Sequence, residues 1–228
     1  MRRVRIGLLD SGLGGDMAGR AIAEAAFTVS EDFMVSATPC RPDPTGHGTA
    51  IARLVMAAPS VDLLNAQVFI EGGMTSAAAV AAGLDWLRGR DARLVCMSFG
   101  LRSDREVLRL ACATAAEAGM IMVAAMPARG APVYPAAYPS VVAVTGDARC
   151  APGEISVLNA GLFGACPRPP VAEGGGRLGG ASFAAGHFCG IVATALCREK
   201  LATAAEATGF LEGQARYRGR ERKSTADG

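Results

Sequence analysis

The chain of 228 residues holds only two histidines, His47 and His187, so any imidazole base is one of these two. It also lacks a charge excess. Lys and Arg number 23 against 21 Asp and Glu, and a net charge of +2 leaves no electrostatic footprint for nucleic acid or an anionic membrane surface. No apolar run approaches the roughly 20 residues needed to cross a bilayer, because Gly, Pro or a charge interrupts each candidate. The opening MRRVRIGLLDSG has an apolar stretch too short for a signal peptide, with Asp10 where small residues would mark a cleavage site. It reads as a strand, and a cytoplasmic protein without a membrane partner is expected. The seven cysteines form an odd set with no CxxC pair and no histidine at metal-ligand spacing, so neither a metal nor another cofactor is expected. Cys96, Cys112, Cys189 and Cys197 sit inside apolar runs, where a free thiol packs as a small hydrophobe in a reducing compartment.

What is present is enough to build a core. Half the residues are hydrophobic and 19% are charged, which suits one compact domain without repeats or an interdomain linker. We place that domain at 1–205. The stretch 206–228, ending in ARYRGRERKSTADG, lacks apolar periodicity and reads as a basic, disordered tail.

Five apolar runs bounded by turn formers read as buried parallel strands: 4–10, 61–69, 92–99, 119–126 and 140–146. Helical spacing occupies 21–27, 47–58, 76–90 and 104–119, and a last long helix runs from Ser182 to about Ala205. Thr75 or Ser76 can cap the third of these helices, Ser103 can cap the fourth, and Gly119 can end it. The segment 147–178 reads as loops around one strand, ISVLNAG. Strands alternating with helices predict an α/β fold with a mainly parallel, twisted sheet covered by helices on both faces.

In such a sheet, ligands bind beyond the carboxyl ends of the strands, where loops and helix N-termini converge. Asp10 closes the first strand in LLDSG, His47 opens a helix after RPDPTG, and Ser182 opens the last helix after GRLGG. A serine hydroxyl needs an imidazole to take its proton, and the imidazole needs a carboxylate to hold its tautomer. His187 lies five residues into the last helix and reads as a packed histidine. Each signal alone is weak, but the joint order is specific.

That order, Asp then His then Ser, resembles the subtilisin-like serine peptidases. IGLLDSGLG is similar to the family's aspartate motif, GHGTAIARLV to its histidine motif and GGASFAAGHFCGIVATAL to its serine motif, though threonine and methionine more usually flank that serine. AAPSVDLLNAQVF, SAAAVAAGLDWL, VCMSFG and YPAAYPSVVAVTG resemble further family segments in the expected order, so the likeness spans about residues 4–200. It implies the family's three-layer fold and an endopeptidase working through an acyl-enzyme, and the missing secretion signal makes an intracellular one the expectation. Asp10 would orient the base, His47 would be general base and then acid, and Ser182 would be the nucleophile. Ser98, Phe99 and Gly100 would pair with a peptide or unfolded protein bound in extended form.

The chain departs from the pattern where the family has an oxyanion-binding asparagine, because GMIMVAAMPARG offers Pro127 or Ala128 there. The Ser182 backbone N–H would remain, and Arg129 is the candidate substitute donor. Losing such a donor costs about 10² to 10³ in turnover, a magnitude that comes from subtilisin and not from this chain. MAAPSVDLL passes from helix to strand without the family's calcium loop, so no calcium site is transferred. With neither propeptide nor secretion signal ahead of the first strand, a processing role on a precursor peptide is expected. Two other outcomes stay open: a subtilase fold that binds a peptide or partner protein without cutting it, and an acyl transferase. Loops near 71–76, 99–105 and 127–134 would shape specificity.

Overall fold

The computed structural model describes residues 3–69, 73–170, 180–199 and 201–221. In chain order it forms β1 (Val4–Asp10), β2 (Ala23–Val29), β3 (Val35–Thr38), α1 (His47–Val55), β4 (Val61–Gln67), α2 (Ala77–Arg88), β5 (Leu94–Met97), α3 (Glu106–Glu117), β6 (Ile121–Ala125), β7 (Val142–Gly146), β8 (Ile155–Asn159), β9 (Leu162–Ala165), α4 (Ala181–Arg198), α5 (Ala204–Gln214) and β10 (Tyr217–Arg218). The ten strands make one sheet in the order β10-β8-β9-β7-β6-β5-β1-β4-β2-β3. Only the β2–β3 and β8–β9 pairs are antiparallel. The central strand β1 pairs parallel with β4 and with β5, so its carboxyl end lies deep inside the sheet.

Alternation along each strand divides the core in two. Ile6, Leu8, Leu94, Cys96, Ile121 and Val123 face α1, α4 and α5, while Leu9, Val95, Met97, Met122 and Ala124 face α2 and α3. A strand buried on both faces has no polar side, which is why these segments read as near-continuous apolar runs. The helix α4 is apolar nearly all round because it crosses β1, β5, β6, β7 and β9 and packs against α1 and α5. At Gly190 a Cβ would come within 2.7 Å of the Leu54 carbonyl oxygen, so the α1–α4 contact requires glycine there.

Three expected elements need correction. The alanine-rich segment 21–27 does not form a helix: residues 23–29 form β2, parallel to β4 and antiparallel to β3. Local propensity favoured the helix, but the edge of the sheet offered a ladder, and Ala25 and Phe27 are buried under α2, with Phe27 edge-on to Trp86 at 6.1 Å. The loop region 147–178 contains a β8–β9 hairpin, of which only the first strand was legible. The last helix stops at Arg198, and the chain from 204 to 221, expected mostly as a tail, is folded as α5 and β10. Thr203 caps α5 by accepting from Glu206 N–H at 3.1 Å while Glu206 reaches back to Ala202 N–H, a variant of the capping box. Leu211 and Ala207 then enter the core beside α4, and Tyr217 pairs with Ser156. The rest of the expected tail, 222–228, lies outside the described residues, as do residues 171–179 just ahead of α4.

Ser76 caps α2 as expected, accepting from Ala79 N–H at 3.1 Å, and Gly119 follows the end of α3. Ser103 does not cap α3, whose N-cap is Arg105 without a side-chain bond. The cysteines are free, and Cys96, Cys112, Cys189 and Cys197 are buried.

If the C-terminal helix belongs to the cooperative unit, Leu211→Ala will cost about 2 to 5 kcal/mol, as truncation of a buried leucine does. Urea unfolding checks this, and an unchanged midpoint would return residues 204–221 to the status of a tail.

Candidate active site

Asp10 is the last residue of β1, His47 the first of α1, and Ser182 the second of α4. The Asp10 side chain is 2% exposed and His47 Nδ1 lies 2.8 Å from Asp10 Oδ1. With the Nδ1–H donated to that carboxylate, Nε2 is left as the basic nitrogen. Ser11 N–H donates to Asp10 Oδ1 at 2.7 Å, and the buried Ser98 hydroxyl donates to Asp10 Oδ2. The carboxylate is therefore held by its own chain neighbour and by two segments that are remote in sequence.

The start of α1 is built to place His47. Its N-cap, Gly46, has no side chain to cap the helix, and Asp43 does so instead. Asp43 Oδ2 accepts from Thr49 N–H at 2.9 Å and from the Thr49 hydroxyl at 2.7 Å, while Oδ1 accepts from Gly46 N–H at 3.0 Å. Gly48 lets the helix press onto the loop after β1: a Cβ there would meet the Gly12 carbonyl oxygen at 2.4 Å.

Ser182 sits where helix N–H groups have no intrahelical partner. The first such bond of α4 runs from Ala184 N–H to Gly180 O at 3.1 Å, and Gly180 N–H is itself tied to Pro167 O at 2.9 Å. The N–H groups of Ala181, Ser182 and Phe183 precede it and find no ladder partner among the described residues. The Ser182 hydroxyl donates to the Ser98 carbonyl at 2.5 Å. The His47 ring lies 6.0 Å from the Phe183 ring, next along the chain. The Phe183 ring on His47, and the Ser182 bond to Ser98, whose hydroxyl reaches Asp10, bring the three candidates close together, but no hydrogen bond among the described residues joins Ser182 to His47. The Ser182 hydroxyl proton is committed to the Ser98 carbonyl, and any transfer to His47 requires it to turn away from that carbonyl.

The other expected residues are placed less tightly. Phe99 packs edge-on to Phe69 at 5.1 Å. Leu101 exchanges both backbone bonds with Tyr134, at 2.7 and 2.8 Å, which ties the strand beyond Gly100 to the 130s loop. Gly100 itself is exposed and donates no backbone bond among the described residues. Pro127, Ala128 and Arg129 follow β6 and are all exposed; Arg129 contacts no partner among the described residues. His187 Nε2 donates to the Arg168 carbonyl, 2.9 Å away, and burial lowers its pKa. No group of three or more His, Cys, Asp or Glu side chains that could hold a metal occurs among the described residues.

Comparison with known proteins bears on this arrangement. Residues 2–228 match the profile of the Subtilase family. The chain belongs to the subtilase family. It is 33% identical over 152 residues to the thermostable alkaline protease of Halalkalibacterium halodurans, covering 61% of this subtilase and 40% of that protein. It is 28% identical over 158 residues to subtilisin DY of Bacillus licheniformis, covering 62% and 55%. The subtilase thus spans about half the length of the curated relatives it matches. Among solved structures, an S41 psychrophilic protease superposes with a TM-score of 0.66 at 18% identity, covering 92% of this chain and 82% of that one. A lanthipeptide protease does so with the same TM-score and identity, covering 91% and 78%. At that identity the likeness establishes the fold.

Sequence reasoning missed Asp43, Ser11 and Thr49. A signal was there: Asp43 precedes Thr45 and Gly46 in PDPTG, a spacing at which an aspartate accepts backbone N–H groups of the following turn.

Burial works to lower the His47 pKa, but the hydrogen bond and charge of Asp10, with the charge of Asp43, outweigh it, so the net displacement is upward. A raised value in the folded state means that folding favours the protonated ring. Its stabilisation is fully present below the unfolded value of about 6.5 and is lost as the pH rises through the folded midpoint. NMR titration of the ring should therefore give a midpoint above that of a free imidazole. Asp10→Asn should bring it below, since burial then dominates; an unmoved midpoint would reject the assigned pairing.

Proposed function

We propose that this subtilase is a serine endopeptidase in which Asp10 orients His47, His47 is general base and then general acid, and Ser182 attacks the peptide carbonyl to form an acyl-enzyme. The observation that carries this reading is the buried Asp10 carboxylate on His47 Nδ1, beside a serine at the N-terminus of α4. Rotation of the Ser182 side chain from Ser98 towards Nε2 primes the hydroxyl, and the proton taken by His47 returns to the leaving amine. The N–H groups at the start of α4 that have no ladder partner among the described residues, that of Ser182 foremost, would stabilise the negative charge that develops on the carbonyl oxygen. Substrate binds extended along Ser98, Phe99 and Gly100; the Gly100 N–H, which donates no backbone bond among the described residues, supports pairing without regard to side chain.

The oxyanion asparagine of the family has no counterpart at Pro127 or Ala128, and Arg129 is proposed as the substitute donor. Even without it, a penalty of about 3 to 4 kcal/mol leaves most of the rate enhancement of an acyl-transfer enzyme. Slow, selective hydrolysis follows. An intracellular setting and the processing of a precursor peptide complete the proposal; the free thiols support the former, and the likeness in fold to a lanthipeptide protease supports the latter.

A second reading has its own observation in favour. The Ser182 hydroxyl is engaged by the Ser98 carbonyl, and no side-chain donor follows β6 at the asparagine's place, as in a fold that binds peptides without cutting them.

A fluorophosphonate probe separates the two. The peptidase reading requires labelling of the wild type that is lost in Ser182→Ala and in His47→Ala; absence of labelling on folded wild type supports the binding module. Masses of the products from a peptide library then distinguish hydrolysis from acyl transfer. For the substitute donor, Arg129→Ala should lower kcat with little change in KM, and an unaltered kcat would remove Arg129 from the mechanism.

A further inference from the structure

A second carboxylate reaches the His47–Asp10 pair through one hydroxyl. Ser11 Oγ lies 2.8 Å from Asp43 Oδ1 and 3.2 Å from Asp10 Oδ1, so its single proton is shared between two acidic side chains that belong to different loops. The same oxygen accepts from Gly48 N–H at 3.0 Å and from the Thr45 hydroxyl at 3.1 Å. Asp43 in turn collects the N–H groups of Thr45, Gly46 and Thr49 and the hydroxyl of Thr49, whose oxygen also receives Gly14 N–H at 2.9 Å. His47 stands in the middle of this cluster, with its own N–H directed at Thr45 Oγ1 at 3.2 Å. The fixed start of α1 and the loop after β1 are thereby one hydrogen-bonded body.

We propose that Asp43 is a positioning residue for His47, its carboxylate clamping the first turn of α1 onto the Asp10–Ser11 loop and keeping a second negative charge beside the imidazole. This rests on the reading of His47 as general base. Burial alone would raise the Asp43 carboxyl, but its bonds from Thr49, Thr45 and Ser11 outweigh that and hold it below the usual carboxylate range, so the charge is present wherever His47 titrates. Among the described residues, the charged groups acting on the ring are Asp10 from β1 and Asp43 from the loop before α1; α4 contributes the Phe183 ring. Arg53, further along α1, is engaged with Asp16.

The chemistry explains why the pair benefits. An imidazole that becomes imidazolium in the transition state is stabilised by charge already in place, and a base displaced by about 1 Å can lose on the order of 10²-fold in rate. Asp10 acts directly on Nδ1, whereas Asp43 acts through the backbone that carries the ring and through its field.

The test is Asp43→Asn, which keeps the shape and removes the charge. In a Ser182→Ala, His187→Gln background the only imidazole signal is that of His47, and its NMR titration midpoint should move down when Asp43 is replaced. In the otherwise wild-type chain, Asp43→Asn should lower kcat by about tenfold or more with KM changed by less than about twofold, and shift the acid limb of kcat to lower pH. An unmoved midpoint together with an unaltered kcat overturns the proposal. Ser11→Ala provides a second route if Asp43→Asn fails to fold: it cuts the bridge and leaves both charges, so kcat should fall with the midpoint little changed, and an unaltered kcat overturns the clamp. Because the titration needs no turnover, a shifted midpoint in a chain that no fluorophosphonate labels would sink the peptidase reading while leaving the coupling of Asp43 to His47 in place.

Discussion

A carboxylate at the closed end of a central strand has almost no water, and its charge persists only if donors surround it. Asp10 meets that demand with the Ser11 backbone, the Ser98 hydroxyl and the His47 ring, three groups from three segments. Each of those donors is held in turn by its own element: Ser98 by β5 beside β1, His47 by the first turn of α1, Ser11 by its bridge to Asp43. The local architecture at the carboxyl edge of the sheet follows from the need to pair this one charge.

The two-layer core makes that edge rigid. With helices on both faces, β1 is fixed in register against β4 and β5, so the height of Asp10 relative to Ser98 is set by parallel pairing. On one face, α1 and α4 lie close enough that Gly190 meets the Leu54 backbone, and this contact brings the N-terminus of α4 to the N-terminus of α1. Close approach of the two helices brings Phe183 to His47, and with it Ser182 to the same edge of the sheet. Packing and chemistry are here the same constraint read at opposite ends of two helices.

Much of this was legible in advance because it depends on local pattern. The five central strands announce themselves as apolar runs because both their faces are covered, and α1, α2 and α3 as periodic stretches with recognisable ends. What failed was decided by neighbours. Residues 23–29 carry helix-forming alanines, and only the free edge of β4 turns them into a strand. The folded stretch 204–218 has a short capping signal at Thr203 and Glu206 but little apolar periodicity, since it adds only a few side chains to a core completed by α4. Asp43 stayed hidden because an aspartate between two prolines looks like any polar loop residue until its acceptors are seen to be filled.

By itself the sequence determined which side chains with chemistry exist, that they close a strand or open a helix, and that two histidines are the only possible imidazoles. Chain order and element boundaries are local properties, set by hydrophobic period, caps and turn formers. Tertiary structure alone decided that Asp10 is sealed and paired to His47, that Ser182 rests on the Ser98 carbonyl, and that Asp43 joins the group through Ser11. The physical reason is that hydrogen-bond direction and burial arise only when distant segments are brought to within about 3 Å of one another, and no period along one segment encodes that distance.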